Sequence, residues 1–181
     1  QTSNGETKAY KAADSDLLAW VHIAFTDSFL TTHELYGAEE IPGGSDEYVS
    51  QWSKSVAPLG LTTAPMSRAE LKREIKRYRD EGILGTSETT KRVVEFIRKP
   101  PLSKTALLAY DRMFDGAVAS IPAEFQEMLG LKGKSLKVAG PITRGILTSL
   151  RMALGPASPM EEAAIARLIR IGELPSDYVA S

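Results

Sequence analysis

The run from Asp14 to Gly37 constrains this chain more than any other stretch. At about 100° per residue, Leu17, Val21, Ala24, Ser28 and Leu35 fall on one helical stripe. Leu18, Phe25, Phe29 and Tyr36 lie beside it, and Trp20, Ile23 and Leu30 carry apolar character round most of the circumference. A helix that is apolar on nearly every side belongs in the middle of its domain, because only other elements can keep water off it. Asp14 or Ser15 can accept a hydrogen bond from the free first-turn N–H groups and so start the helix. The expectation is an all-α, multi-helix bundle around a central buried helix near residues 14–37.

The rest of the chain reads as further helices at short intervals. Ser45, ahead of Asp46 and Glu47, marks a start whose acids suit the positive end of a helix dipole, with Tyr48, Val49 and Trp52 on an apolar face. Ser67-Arg68-Ala69-Glu70 has the spacing of a reciprocal capping box and opens a helix to about Asp80. Thr86 or Ser87 opens the next, which Pro100-Pro101 ends. Leu107, Tyr110, Phe114 and Val118 repeat at helical spacing, and Pro122 fits the first turn of a short helix reaching Leu129. Ile142, Ile146, Leu150 and Leu154 mark another, with an interruption expected at Gly140-Pro141 and Gly145. Ser158 to Glu161 reads as a second capping box ahead of Ala164, Ile165 and Leu168. No stretch alternates convincingly as a strand.

Composition narrows the chemistry. A length of 181 residues, 43% hydrophobic and 25% charged, supports one core, so a single domain over 1–181 is expected. The chain opens on Gln1 rather than Met, and that domain is expected to be the C-terminal portion of a larger one. Lys plus Arg is 22 and Asp plus Glu is 23, giving a net charge of −1. That balance argues against a nucleic-acid partner, which calls for a cationic excess to displace phosphate counterions. The absence of cysteine removes disulfides, thiolate metal sites and thiol nucleophiles. No apolar run approaches the roughly 18 residues of a membrane-spanning helix, and no signal-peptide pattern opens the chain, so a cytoplasmic location is expected.

Two basic segments need separating. From Arg68 to Arg79 acids interleave with the cations, and Glu70–Arg73 and Glu74–Arg77 have i, i+3 spacing, which predicts a solvated, salt-bridged face. From Lys132 to Arg151 there are five cations and no acid, so a peripheral membrane contact competes with ordinary packing.

The candidate chemistry lies on the first helix. His22 and Thr26 are one turn apart. His33 lies eleven residues further on, roughly 16 Å at about 1.5 Å per residue, too far to share a metal with His22. No metal site is expected. A single buried imidazole can be the axial ligand of a haem or hydrogen-bond a cofactor. It can equally be a core histidine satisfied by a backbone carbonyl or by Thr26. Asp27, among aromatics, is a candidate perturbed general base, or else a carboxylate that caps a neighbouring helix or pairs with an arginine. Phosphate-cradling glycine loops, nucleophile elbows and dinucleotide fingerprints are absent.

Leu17-Leu18-Ala19-Trp20-Val21-His22, followed by Asp27-Ser28-Phe29-Leu30, resembles the characteristic helix of the MpaB and latex-clearing-protein oxygenase family. Tyr10 to Asp14, Ser67-Arg68-Ala69-Glu70-Leu71, Arg98-Lys99-Pro100-Pro101-Leu102, and Ile121-Pro122 with Leu129-Gly130-Leu131 resemble further family segments in the same order. The resemblance implies an all-α oxygenase that uses haem b and O₂ to cleave carbon–carbon double bonds of a hydrophobic, isoprenoid-type substrate. It implies that His22, Thr26, Phe25 and Phe29 line the cofactor pocket and that Asp27 acts in catalysis. The family's Arg and Thr four residues apart, and its axial histidine, fall before the equivalent of Gln1. The missing N-terminal segment is therefore an expected partner, and His22 matches a second family histidine that lines the pocket. The alternative is a non-enzymatic helical interaction module that keeps the fold without the cofactor.

Overall fold

The computed structural model describes residues 14–155 and 159–178. The fold is all-α, as expected: α1 (Ser15–Tyr36), α2 (Gly44–Ser53), a 3₁₀ turn (Ala57–Leu59), α3 (Arg68–Asp80), α4 (Glu88–Arg98), α5 (Lys104–Ser120), α6 (Ala123–Met128), α7 (Leu136–Leu154) and α8 (Pro159–Arg170), with no strand among the described residues. Backbone contacts divide the chain into two units, Gln1–Arg144 and Gly145–Ser181. In the second, which holds the later turns of α7 and all of α8, no described residue is buried. Tyr10 and Ser158, on which two of the sequence expectations rest, lie outside the described residues.

In the first unit α1 packs against α2, α3 and α5. Asp14 caps it, accepting from the N–H groups of Asp16 (3.1 Å) and Leu17 (3.4 Å). Leu30, Val49 and Leu71 are fully buried and form the core with Ile23 and Tyr78. Burying each such aliphatic side chain stabilises the fold by about 1.5–3 kcal/mol before entropy is counted. Trp20 closes one edge, its ring 5.0 Å from that of Tyr78. The helix is central but not enclosed. Val21, Phe25 and Phe29 stay 39%, 54% and 48% exposed, so the apolar circumference read from the sequence is buried on one side only.

A polar knot ties the three helices together. Glu34 Oε1 accepts from Ser45 Oγ at 2.7 Å and pairs with Arg68 Nη1 at 2.6 Å, while Asp46 accepts from the Arg68 N–H at 2.8 Å. Two helix starts differ in detail from the sequence reading. α2 begins at Gly44 behind Gly43, whose φ of 74° suits glycine, and Ser45 turns to Glu34 instead of capping. At α3, Ser67 Oγ accepts from the Glu70 N–H, but Glu70 reaches back to the N–H of Met66 rather than Ser67, so that box is not reciprocal. The reciprocal pair is Ser87 with Thr90, at the start of α4.

The solvated reading of α3 holds, with Arg73–Glu70 and Arg77–Glu74 paired as spaced. The interruption expected in α7 does not occur: the helix runs through Pro141. Gly140 has no Cβ to clash with the proline ring, and close packing of Ala139, Gly140 and Thr143 outweighs the one lost hydrogen bond. Two of the cations of the Lys132–Arg151 segment are used in packing. Lys134 pairs with Asp115 at 2.9 Å, and Arg144 Nε donates to the Leu35 carbonyl at 2.8 Å.

Candidate functional site

The five candidate residues of α1 lie on different sides of the helix. His22 and Thr26 point into the protein, 6% and 0% exposed. The Thr26 hydroxyl donates to the His22 carbonyl at 2.7 Å, so it satisfies the helix and not the imidazole. The ring of His22 lies 6.4 Å from Trp52, and its Nε2 is buried with no hydrogen-bond partner among the described residues. Burial lowers its pKa below the ordinary 6.5, keeping the ring neutral. Beside it Phe25 and Phe29 stack at 5.8 Å and 13°, and Phe29 lies 5.6 Å from Trp52. This is an exposed aromatic face with an unpartnered nitrogen behind it. Trp52 was not among the sequence candidates, because nothing local in α2 marks it as the neighbour of His22.

The lowered pKa has a consequence for stability. Between the folded pKa of His22 and 6.5 the unfolded chain binds more protons than the folded one. Its contribution is therefore complete above 6.5 and is lost as pH falls below that value. Urea midpoints of the unmodified protein should drop between about pH 8 and about pH 5 by more than those of His22→Phe, which cannot titrate. Parallel pH profiles would exclude a buried neutral imidazole.

Asp27 is turned about 140° from His22 on the helix. It lines a cavity of about 510 Å³ with Trp20, Ala24, Ile75, Ile121 and Phe125 among its walls. Its carboxyl makes no hydrogen bond or ion pair among the described residues, and the arginine expected for it goes to Glu34 instead. Burial raises the pKa of Asp27 above the ordinary carboxylate value, against the pull of Arg68 and Lys72. The structure thus brings His22, Phe25 and Phe29 together, places Thr26 under them, and sets Asp27 in a separate chamber. The stripe Trp20, Ala24, Asp27, Thr31, spaced by about one turn, was the signal for that chamber.

No helix among the described residues is long and apolar enough to cross a membrane. Comparison with curated proteins and with solved structures returns no match. The family model described as ER-bound oxygenase mpaB/B'/rubber oxygenase, catalytic domain, matches residues 1–152, which span the candidate helix and both of its faces. With most of its length matched in this way, the chain belongs to the mpaB/rubber oxygenase catalytic-domain family.

Proposed function

We propose that this protein is a haem b-dependent oxygenase acting with O₂ on a hydrophobic, isoprenoid-type substrate, and that the cofactor lies against the aromatic face of α1. The observation that carries the reading is the orphaned Nε2 of His22, buried behind Phe25, Phe29 and Trp52. A buried polar atom without a partner costs about 1–3 kcal/mol, a cost that a group reaching Nε2 between these rings would remove. Phe25 and Phe29 are stacked nearly parallel and about half exposed, apolar aromatic surface of the kind a macrocycle packs against. These residues fit the group. When bound, haem supplies the activation of O₂ needed for carbon–carbon cleavage.

The chain's own residues bind and orient. In this reading His22 would offer its unpartnered Nε2 to the group, Phe25 and Phe29 would shield it from water, and Thr26, bonded to the His22 carbonyl, steadies the helix turn that carries the imidazole. Asp27 does not reach this face. Titrating the protein with hemin while recording visible absorbance tests the reading. A protein-dependent Soret band is expected, lowered or moved in His22→Ala. A hemin spectrum indifferent to the protein would favour the alternative of a helical interaction module.

A further inference from the structure

We infer that the cavity at Asp27 is a second ligand site, separate from the aromatic face, and that it takes a long apolar chain ending in a single hydroxyl. Its volume of about 510 Å³ falls within the roughly 300–1,000 Å³ of small-molecule sites. The walls are mostly apolar, and the one ionisable side chain among them is Asp27. Left as it stands, that carboxyl is half-buried without a hydrogen-bond partner among the described residues, which a bound polar head would correct.

The chambers on either side define what the ligand is. Beside it, a groove of about 430 Å³ shares Asp27, Thr31 and Ile75 with the cavity and adds Arg68, Lys72, Lys76 and Arg79. Three of these cations are already paired: Arg68 with Glu34, Lys76 with Asp80, and Arg79 with Asp80 and Glu124. Lys72 alone has no ion pair among the described residues, and it already attracts Asp27. A carboxylate or phosphate head would gain Lys72 but would face the charge of Asp27. An alkane would leave the cavity side of Asp27 without a hydrogen-bond partner. A hydroxyl donates to Asp27 when the carboxyl is ionised and accepts from it when protonated, so it suits both states. An apolar groove of about 430 Å³ shares Ala117, Ile121 and Leu129 with the cavity and carries apolar lining on to Val94 and Ile97 of α4. Apolar surface thus continues well beyond the polar end, which fits an extended chain.

Trp20 lines the cavity and reports occupancy by its fluorescence, isolated in a Trp52→Phe background. Dodecanol, dodecane and dodecanoate are titrated in turn, with circular dichroism confirming helix content in every variant. Dodecanol should bind about tenfold more tightly than dodecane. Asp27→Leu should remove that preference by weakening dodecanol about tenfold while leaving dodecane unchanged, and Asp27→Asn, which keeps hydrogen bonding, should retain most of it. If Asp27→Leu fails to fold, the alcohol-over-alkane ratio in the Trp52→Phe protein decides. Equal affinities for alcohol and alkane, tightest binding of dodecanoate, or no response from Trp20 would each overturn the assignment. The titration uses neither haem nor O₂, so its result and that of the hemin titration fail independently.

Discussion

Gly116→Ala is expected to destabilise the protein by about 1–3 kcal/mol, reversing the usual gain of roughly 0.5–1 kcal/mol when alanine replaces a mid-helix glycine. The reason is a close crossing. A Cβ on Gly116 of α5 would stand 2.9 Å from both Cβ and Cγ2 of Thr143 on α7, and closer still to Oγ1. Turning the Thr143 side chain cannot relieve a contact with its own Cβ, so the backbones would have to separate. The Gly116 carbonyl accepts from the Tyr36 hydroxyl at 2.8 Å, and Thr143 Oγ1 donates to the Arg112 carbonyl at 3.4 Å, so separation would also strain these bonds. Urea unfolding of Gly116→Ala, Thr143→Gly and the double variant measures the effect. The double variant should be more stable than the sum of the singles predicts, by about 0.5–3 kcal/mol. Additive losses would mean that the helices do not touch at this glycine. The same crossing sets the α5 wall of the Asp27 cavity, because Ala117 and Ser120 follow within one turn.

Which parts of this were legible in the sequence follows from what is local. Helix starts depend on a few neighbouring residues, so Asp14, Ser67 and Ser87 were readable from side-chain type and spacing. The interleaved charges of α3 were readable for the same reason. Pro141 misled, because its effect depends on the missing Cβ of Gly140 and on what α7 packs against, and only the first is in the local sequence. The exposed side of α1 misled as well. Apolar periodicity shows which residues could be buried, whereas Val21, Phe25 and Phe29 stay only partly covered among the described residues. The candidate site was half legible. His22 and the two phenylalanines could be placed on one helix face, but the pairing of Arg68 with Glu34 instead of Asp27 depends on how α3 crosses α1, and no spacing within either helix encodes it.

Leu30→Ala should lower stability by about 2–5 kcal/mol, the range for a fully buried leucine whose cavity can collapse only in part. For a chain of this size that corresponds to a melting temperature lower by about 2–4 °C for each kcal/mol. Leu30 is 0% exposed and packs in one cluster with Val49 of α2, Leu71 of α3, Ile23 and Tyr78. It lies between Phe29, on the aromatic face, and Thr31, on the rim of the Asp27 cavity. A shift of α1 toward the void would therefore move both sites at once. Leu30→Met, nearly equal in volume, should cost less than about 1.5 kcal/mol and leave both sites in place. Below the melting temperature of Leu30→Ala, the hemin and dodecanol titrations should weaken together, whereas Asp27→Leu should touch only the second. If Leu30→Ala melts early yet binds both probes as the unmodified protein does, α1 is positioned by its ends, through Asp14 and the Glu34–Arg68 pair, and not by its buried middle.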